Sequence, residues 1–156
     1  MRLKKAWTTH IPMLIKYVQL ADKPVLELGS GIFSTPLLHW LCKMQGVELF
    51  TYENVDEYYK FAKQFQSRNH RIRFVEDWNK VIYPYNKYGV VFIDHAPAER
   101  RQIEAITFAN LTDYVILHDA DESIYGYNKV YPHFKYIYKW EECKPYTTVL
   151  SNFNEL

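Results

Sequence analysis

Val25-Leu26-Glu27-Leu28-Gly29-Ser30-Gly31 is an apolar run that ends in an acid and a glycine turn, and a helical pattern follows it. Such a run reads as a strand of an α/β fold. Two glycines flanking a small serine let the backbone pass close to a ligand. Thr35-Pro36 then supplies an expected N-cap and first-turn proline for the next helix.

Strand and helix signals alternate on both sides of that turn. Apolar residues at Ile11, Leu14, Ile15 and Val18 recur with helical period, with Pro12 in the first turn. Strands are predicted over 24–28, 48–52, 71–75, 88–93 and 113–117. Helices are predicted over 36–44, over 55–66 with Val55, Tyr58, Ala62 and Phe65 inward, and over 98–110 with Ile103 and Ile106 inward. This alternation implies an α/β, doubly wound, mostly parallel sheet with helices on both faces. Two β-rich runs, 135–140 and 146–151, close the chain as an antiparallel hairpin. With 156 residues, one domain spanning 1–156 is expected.

The formal net charge is +1, and lysines and arginines are mixed with acids rather than drawn into a stripe. That balance disfavours nucleic acid and points to a small-molecule partner. Cys42 and Cys143 have no metal-ligand spacing and read as reduced thiols of a cytoplasmic protein. Met1 to Lys5 is basic, but Thr8, Thr9 and His10 interrupt what would be the apolar segment of a signal peptide. No apolar run approaches the length of a membrane span.

Ligands of open parallel sheets sit beyond the carboxyl ends of the strands. Here those ends carry Glu27 and the glycine turn, then Glu53, Asp77, Asp94 and Asp119. A carboxylate at the position of Glu53 can accept hydrogen bonds from both hydroxyls of a ribose. Ser34 stands where the third glycine of a dinucleotide motif belongs, and Glu27 would put negative charge near a pyrophosphate. An NAD-dependent oxidoreductase is therefore the second choice, and a positively charged cofactor suits the turn better.

Glu27-Leu28-Gly29-Ser30-Gly31, the acid Glu53, the strand Val90-Val91-Phe92-Ile93-Asp94 and the closing hairpin together resemble the class I S-adenosylmethionine-dependent methyltransferases, which are Rossmann-like, over nearly the whole chain. The resemblance implies a seven-stranded sheet of order 3-2-1-4-5-7-6 with strand seven antiparallel. It also implies S-adenosylmethionine as cofactor, held by Glu27, Gly29, Ser30, Gly31, Ser34, Thr35, Glu53 and Asp94. Asp77-Trp78 would take the adenine, and His10 would cap the cofactor or face the acceptor.

The start of the first helix should overhang the cleft, bringing Trp7, Thr8, Thr9 and His10 there, with a plain helix cap as the alternative role of Thr9. Asp94-His95 and His118-Asp119 leave neighbouring strands and form the expected catalytic group. Adjacent carboxylates and imidazoles bind a divalent ion or move protons, with His95, His118 and Asp94 ahead of His10 as bases. Asp94 and Asp119 resemble the metal positions of catechol O-methyltransferase-like enzymes, which implies Mg2+ with Asp121 as a third ligand. Ala120, Ala96 and Pro97 depart from that pattern. Tyr125, Tyr127, Tyr131 and His133 would form the acceptor rim, while Arg100-Arg101 reads as a solvated pair at a helix start. The expected activity is methyl transfer by in-line displacement to a small molecule at oxygen. A non-catalytic accessory subunit is the other alternative, and a homodimer or accessory partner would supply the acceptor-enclosing helices that so short a chain lacks.

Overall fold

Every side chain of β1 (Val25–Leu28), β2 (Leu49–Glu53) and β4 (Tyr88–Ile93) is buried. Continuous burial of this kind requires cover on both sheet faces, which is the condition of a parallel α/β sheet. The computed structural model describes residues 5–156. The basic opening Met1 to Lys4, and the side chains of Lys5 and Ala6, lie outside them.

Around these strands run α1 (Ile11–Val18), α2 (Ser34–Gln45), α3 (Asp56–Ala62), β3 (His70–Phe74), α4 (Arg101–Phe108), β5 (Thr112–Leu117), β6 (Tyr136–Trp140) and β7 (Thr147–Ser151). The sheet order is β3-β2-β1-β4-β5-β7-β6, as the resemblance implies. The first five strands are parallel, and β7 pairs antiparallel with both β5 and β6. Leu28 lies in register with Tyr52 on one side and Ile93 on the other, so β1, β2 and β4 end level with one another. That shared edge is the floor of the candidate site.

Alternate side chains feed two cores. Leu26, Leu28, Val91 and Ile93 pack toward Ala105 and Phe108 of α4, with Trp78 and Tyr127 closing the same side. Val25, Leu49, Val90 and Phe92 pack toward Leu14 and Tyr17 of α1 and Leu38 of α2. None of the described helices is long and apolar enough to cross a membrane.

The helices depart from the simplest apolar patterns. In α1 the buried residues are Met13, Leu14, Tyr17 and Val18, while Ile15 is exposed. The segment expected as one helix over 55–66 is α3 followed by a 3-10 turn, and α3 buries only Ala62. In α4 the inward row is Arg101, Glu104, Ala105 and Phe108, which leaves Ile103 exposed. Two charged residues thus occupy helical core positions, because both have polar partners at the strand ends.

Gly29 fixes how closely the turn after β1 approaches β4. Its φ is +91°, and a Cβ there would lie 2.5 Å from the His95 backbone nitrogen. Gly29→Ala combines a left-handed backbone penalty with a clash against main chain that cannot rotate away. The expected loss is at least about 2 kcal/mol, read from the denaturant midpoint; an unchanged midpoint would show that the approach is not required.

Candidate functional site

The glycine turn is tied to its surroundings through its own amides. Ser30 donates from both its backbone nitrogen (2.7 Å) and its Oγ (3.0 Å) to Glu53 Oε2, and the Val55 amide donates to Oε1 at 2.6 Å. The Gly31 amide donates to Thr35 Oγ1 at 3.0 Å. Thr35 is therefore not the helix cap: Phe33 holds that position without a side-chain bond, and the Thr35 hydroxyl donates to Glu27 instead. Glu27 is fully buried, so it supports the turn from beneath rather than touching a ligand.

Above the turn opens a cleft of about 400 Å³, a size suited to a small molecule. Its walls include Trp7 and His10 from the α1 side, Ser30, Gly31, Phe33 and Ser34 from the turn, Glu53, Val55 and Tyr58 beyond β2, and Asp94, Arg101, His118 and Asp119 at the far end. The overhang of Trp7 and His10 agrees with the sequence reading. Thr9 does not cap α1; its Oγ1 donates to the Pro145 carbonyl at 2.7 Å and lies 3.1 Å from His118 Nε2.

Several expected positions lie elsewhere. Asp77 caps the 3-10 turn Trp78–Lys80 through the Asn79 amide and lines a separate surface depression. The Trp78 indole donates to the Ala96 carbonyl, with its ring against His95, so neither Asp77 nor Trp78 lines the cleft, whereas His95 and Ala96 do. Asp121 accepts from the Tyr146 amide and faces Lys144, also outside it. The tyrosines of the expected acceptor rim are structural: Tyr127 is buried and donates to the His118 carbonyl, and Tyr125 covers the Arg101 guanidinium at 4.3 Å. The aromatic cleft walls are instead Trp7, Phe33 and Tyr58.

At the far end Arg101, expected as a solvated residue, is buried and joins both acids. It donates to Asp94 Oδ1 at 2.9 Å and to Asp119 Oδ2 at 3.0 Å, and also to the carbonyls of Asp94 and His95. Asp119 reaches it from a φ of +56°, a left-handed conformation that aspartate adopts more readily than most residues. His118 Nδ1 lies 3.3 Å from Asp94 Oδ1 and 3.4 Å from Asp119 Oδ1. Since the Thr9 hydroxyl spends its proton on Pro145, its oxygen accepts from His118 Nε2–H. Both nitrogens of His118 thus face acceptors, an arrangement that favours the imidazolium form.

The pKa shifts follow from this geometry. Burial opposes the charged form of His118, but Asp94 and then Asp119 raise its pKa above the ordinary histidine value. Burial alone would raise Asp94; the His118 charge and hydrogen bond, then Arg101, bring it down to about 2. Two carboxylates and two cations thus balance one another in the cleft wall.

This balance answers the metal expectation. The ligating atoms of His10, Asp94 and His118 lie within 4.8 Å of one another, yet both nitrogens of His118 face acceptors, and Arg101 already bridges Asp94 and Asp119. A divalent ion at Asp94, Asp119 and Asp121 does not fit. The same contacts, with the raised pKa of His118, disfavour it as a base. His95 is packed against Trp78 with Nε2 3.3 Å from Glu104.

His10 is the imidazole left for chemistry. It is buried in the cleft wall beside Phe92 and edge-on to His118, and neither ring nitrogen has a hydrogen-bond partner among the described residues. Burial and the adjacent His118 charge lower its pKa to about 4, with Asp94 opposing.

Nitrogen-15 spectra of the ring nitrogens should accordingly show His118 doubly protonated at pH 7 and His10 neutral down to about pH 4. A raised folded-state pKa on His118 adds stability that is complete below about pH 6.5 and is lost as pH rises through the folded value; His118→Gln should remove that pH dependence. Arg101→Met leaves two facing carboxylates without their shared cation. The expected cost is about 3–5 kcal/mol at neutral pH, shrinking toward pH 4 as the acids protonate. A cost independent of pH would contradict the ion-pair assignment.

No protein-family model and no curated protein matches the sequence. Solved structures do match in fold. The methyltransferase domain of METTL16 aligns with a TM-score of 0.70 at 11% identity, covering 99% of this chain and 70% of that one. The O-methyltransferase TomG of Streptomyces achromogenes, solved with S-adenosylmethionine, aligns at 0.65 and 14%, covering 96% and 88%. The O-methyltransferase of Bacillus cereus, solved with S-adenosylhomocysteine, aligns at 0.63 and 14%, covering 96% and 82%. The chain has the Rossmann-like fold of the class I methyltransferases.

Proposed function

We propose that this protein binds S-adenosylmethionine in the cleft above the glycine turn and transfers its methyl group to a hydroxyl of a small molecule. The observation that carries the reading is where the turn's donors go. The amides of Ser30 and Gly31, which a dinucleotide site would aim at phosphate oxygens, are bonded to Glu53 and Thr35. The turn thus offers close backbone approach with those two donors committed, beside a carboxylate whose Oε1 keeps one acceptor site. That suits a ribose diol and a cationic ligand better than a pyrophosphate. The ligands named for TomG and the Bacillus cereus enzyme support the same choice.

When bound, S-adenosylmethionine supplies a methyl group on an electron-poor sulfonium centre. Glu53 accepts a hydrogen bond from the ribose, and Gly29, Ser30 and Gly31 let the ligand lie against the main chain. His10 accepts the hydrogen bond of the acceptor hydroxyl on a ring nitrogen and takes its proton as the oxygen becomes alkylated. Asp94 stands close enough to favour the resulting imidazolium, as its raising influence on His10 shows. Arg101 and His118 hold Asp94 ionised and in place, and holding the two reactants together supplies the larger share of the rate. The Mg2+ expectation plays no part in this reading.

Calorimetry with S-adenosylmethionine, S-adenosylhomocysteine and NAD tests the assignment. The first two should bind and NAD should not. Glu53→Ala, which removes a charged acceptor for the ribose, should weaken the adenosyl ligands by about 1.5–3 kcal/mol. His10→Phe should leave their affinity within about threefold and reduce methyl transfer by about 10²-fold or more, with no effect of chelator on either protein. Binding of NAD alone would overturn the proposal.

A further inference from the structure

Beneath the glycine turn a continuous file of hydrogen bonds runs from the protein surface to the buried Glu27 carboxyl, and nothing in the proposed methyl transfer uses it. Thr51 on β2 donates to Glu27 Oε2 at 2.7 Å. His70, the first residue of β3, places Nε2 2.8 Å from the same hydroxyl. His39 on α2 meets His70 Nδ1 with its own Nδ1 at 3.1 Å. Glu27, Thr51 and His70 are buried, whereas His39 is half-buried and reaches solvent.

With Glu27 ionised, one direction of donation satisfies every link. With Thr51 donating to Glu27, its oxygen must accept from His70 Nε2–H, so neutral His70 presents a bare Nδ1 to His39 Nδ1–H. All protons point inward at an ionised Glu27. A proton arriving on His39 Nε2 can then shift the file by one step: His39 passes its Nδ1 proton to His70, His70 passes its Nε2 proton to Thr51, and Thr51 passes its hydroxyl proton to Glu27. One proton enters from solvent and one ends on the carboxyl. His39 and His70 finish neutral, with the Phe65 backbone neighbouring the His70 ring.

We propose that His39, His70 and Thr51 are a proton relay that loads and unloads Glu27 from solvent, and that binding of a cationic ligand above the turn is coupled to release of the proton from Glu27. The second half rests on the cofactor reading given above. Glu27 supports that turn directly, through the Thr35 hydroxyl that also receives the Gly31 amide. The other ionisable groups around it are Cys42 of α2 and Glu53 at the end of β2; β4 presents Phe92 at the neighbouring register position. Burial raises Glu27 to about 8 despite its hydrogen bonds to Thr51, Ser34 and Thr35, which places the loaded and unloaded forms within reach of one another near neutral pH. Burial, then the neighbouring His39, keeps His70 neutral, so it passes protons without storing one.

Carbon-13 spectra of the glutamate carboxyls in the ligand-free protein test the relay. Glu27 should titrate with a midpoint near pH 8 as one averaged line, because the relay exchanges its proton rapidly. Thr51→Val, which removes the linking hydroxyl, and His39→Phe, which removes the surface entry without touching the core, should each split that line into two slowly exchanging signals. A Glu27 that does not titrate between pH 6 and 10, or a line of the same shape in all three proteins, would overturn the relay. For the coupling, S-adenosylmethionine binding near pH 7.5 should release a fraction of a proton, seen as a binding heat that varies with buffer ionisation enthalpy, and Glu27→Gln should abolish that variation. Binding without proton release would overturn the coupling. Failure of S-adenosylmethionine to bind at all would instead remove the cofactor reading, while the carbon titration would still decide the relay.

Discussion

The Arg101 guanidinium is the contact on which the reacting end of the cleft depends. From the first turn of α4 it reaches the ends of both β4 and β5 and donates to two carbonyls and two carboxylates. Burying that cation alone would cost several kcal/mol, and burying Asp94 or Asp119 alone would cost as much. Together with His118 they form a junction of no net charge in which every charge has a partner. The junction does two things at once. It fixes the crossing of α4 over the sheet, and it holds Asp94 ionised beside the neutral His10.

The same junction explains why a metal reading that is reasonable for the sequence fails for the structure. Two aspartates at adjacent strand ends are a fair start for a hard divalent site. Whether they become one depends on which cation reaches them first, and here the chain brings its own. A guanidinium presents donors in a planar fork, so it spans Asp94 and Asp119 in one geometry and cannot also polarise an acceptor oxygen as a metal would. A group that accepts a proton in this cleft needs a free lone pair, and the contacts around His10 suit that better than those around His118.

Much of the fold is legible in the sequence because the strands are. Tyr88 to Ile93 carries no charged residue and Val25 to Leu28 only Glu27, as two-sided burial demands, and the glycines mark where the first of them ends. The helices were harder. In α4 the apolar residues Ile103 and Ile106 suggest one inward face, but the buried row is Arg101, Glu104, Ala105 and Phe108. A pattern of apolar residues cannot reveal a face that buries charge against partners distant in the sequence. The tyrosines after β5 misled for a related reason: Tyr125 and Tyr127 sit near the cleft, but they cover Arg101 and brace His118 rather than face a ligand.

Glu27 shows the limit most clearly. Position and residue type both say that an acid before the glycine turn belongs to the site, and the structure agrees only in part, because the carboxyl turns under the loop and is fully buried. What surrounds it could not be read along the chain: Thr51 lies one strand away, His70 two strands away and His39 on the covering helix. Each looks unremarkable alone. A lone histidine at the start of β3 is an ordinary packed residue until its two nitrogens are seen to join a hydroxyl on one side to a second imidazole on the other. The glycine turn is thereby held from both sides, by Glu53 at the cleft edge and by Glu27 beneath. The first of these meets whatever the cleft binds, and the second can answer that ligand's charge by changing its own.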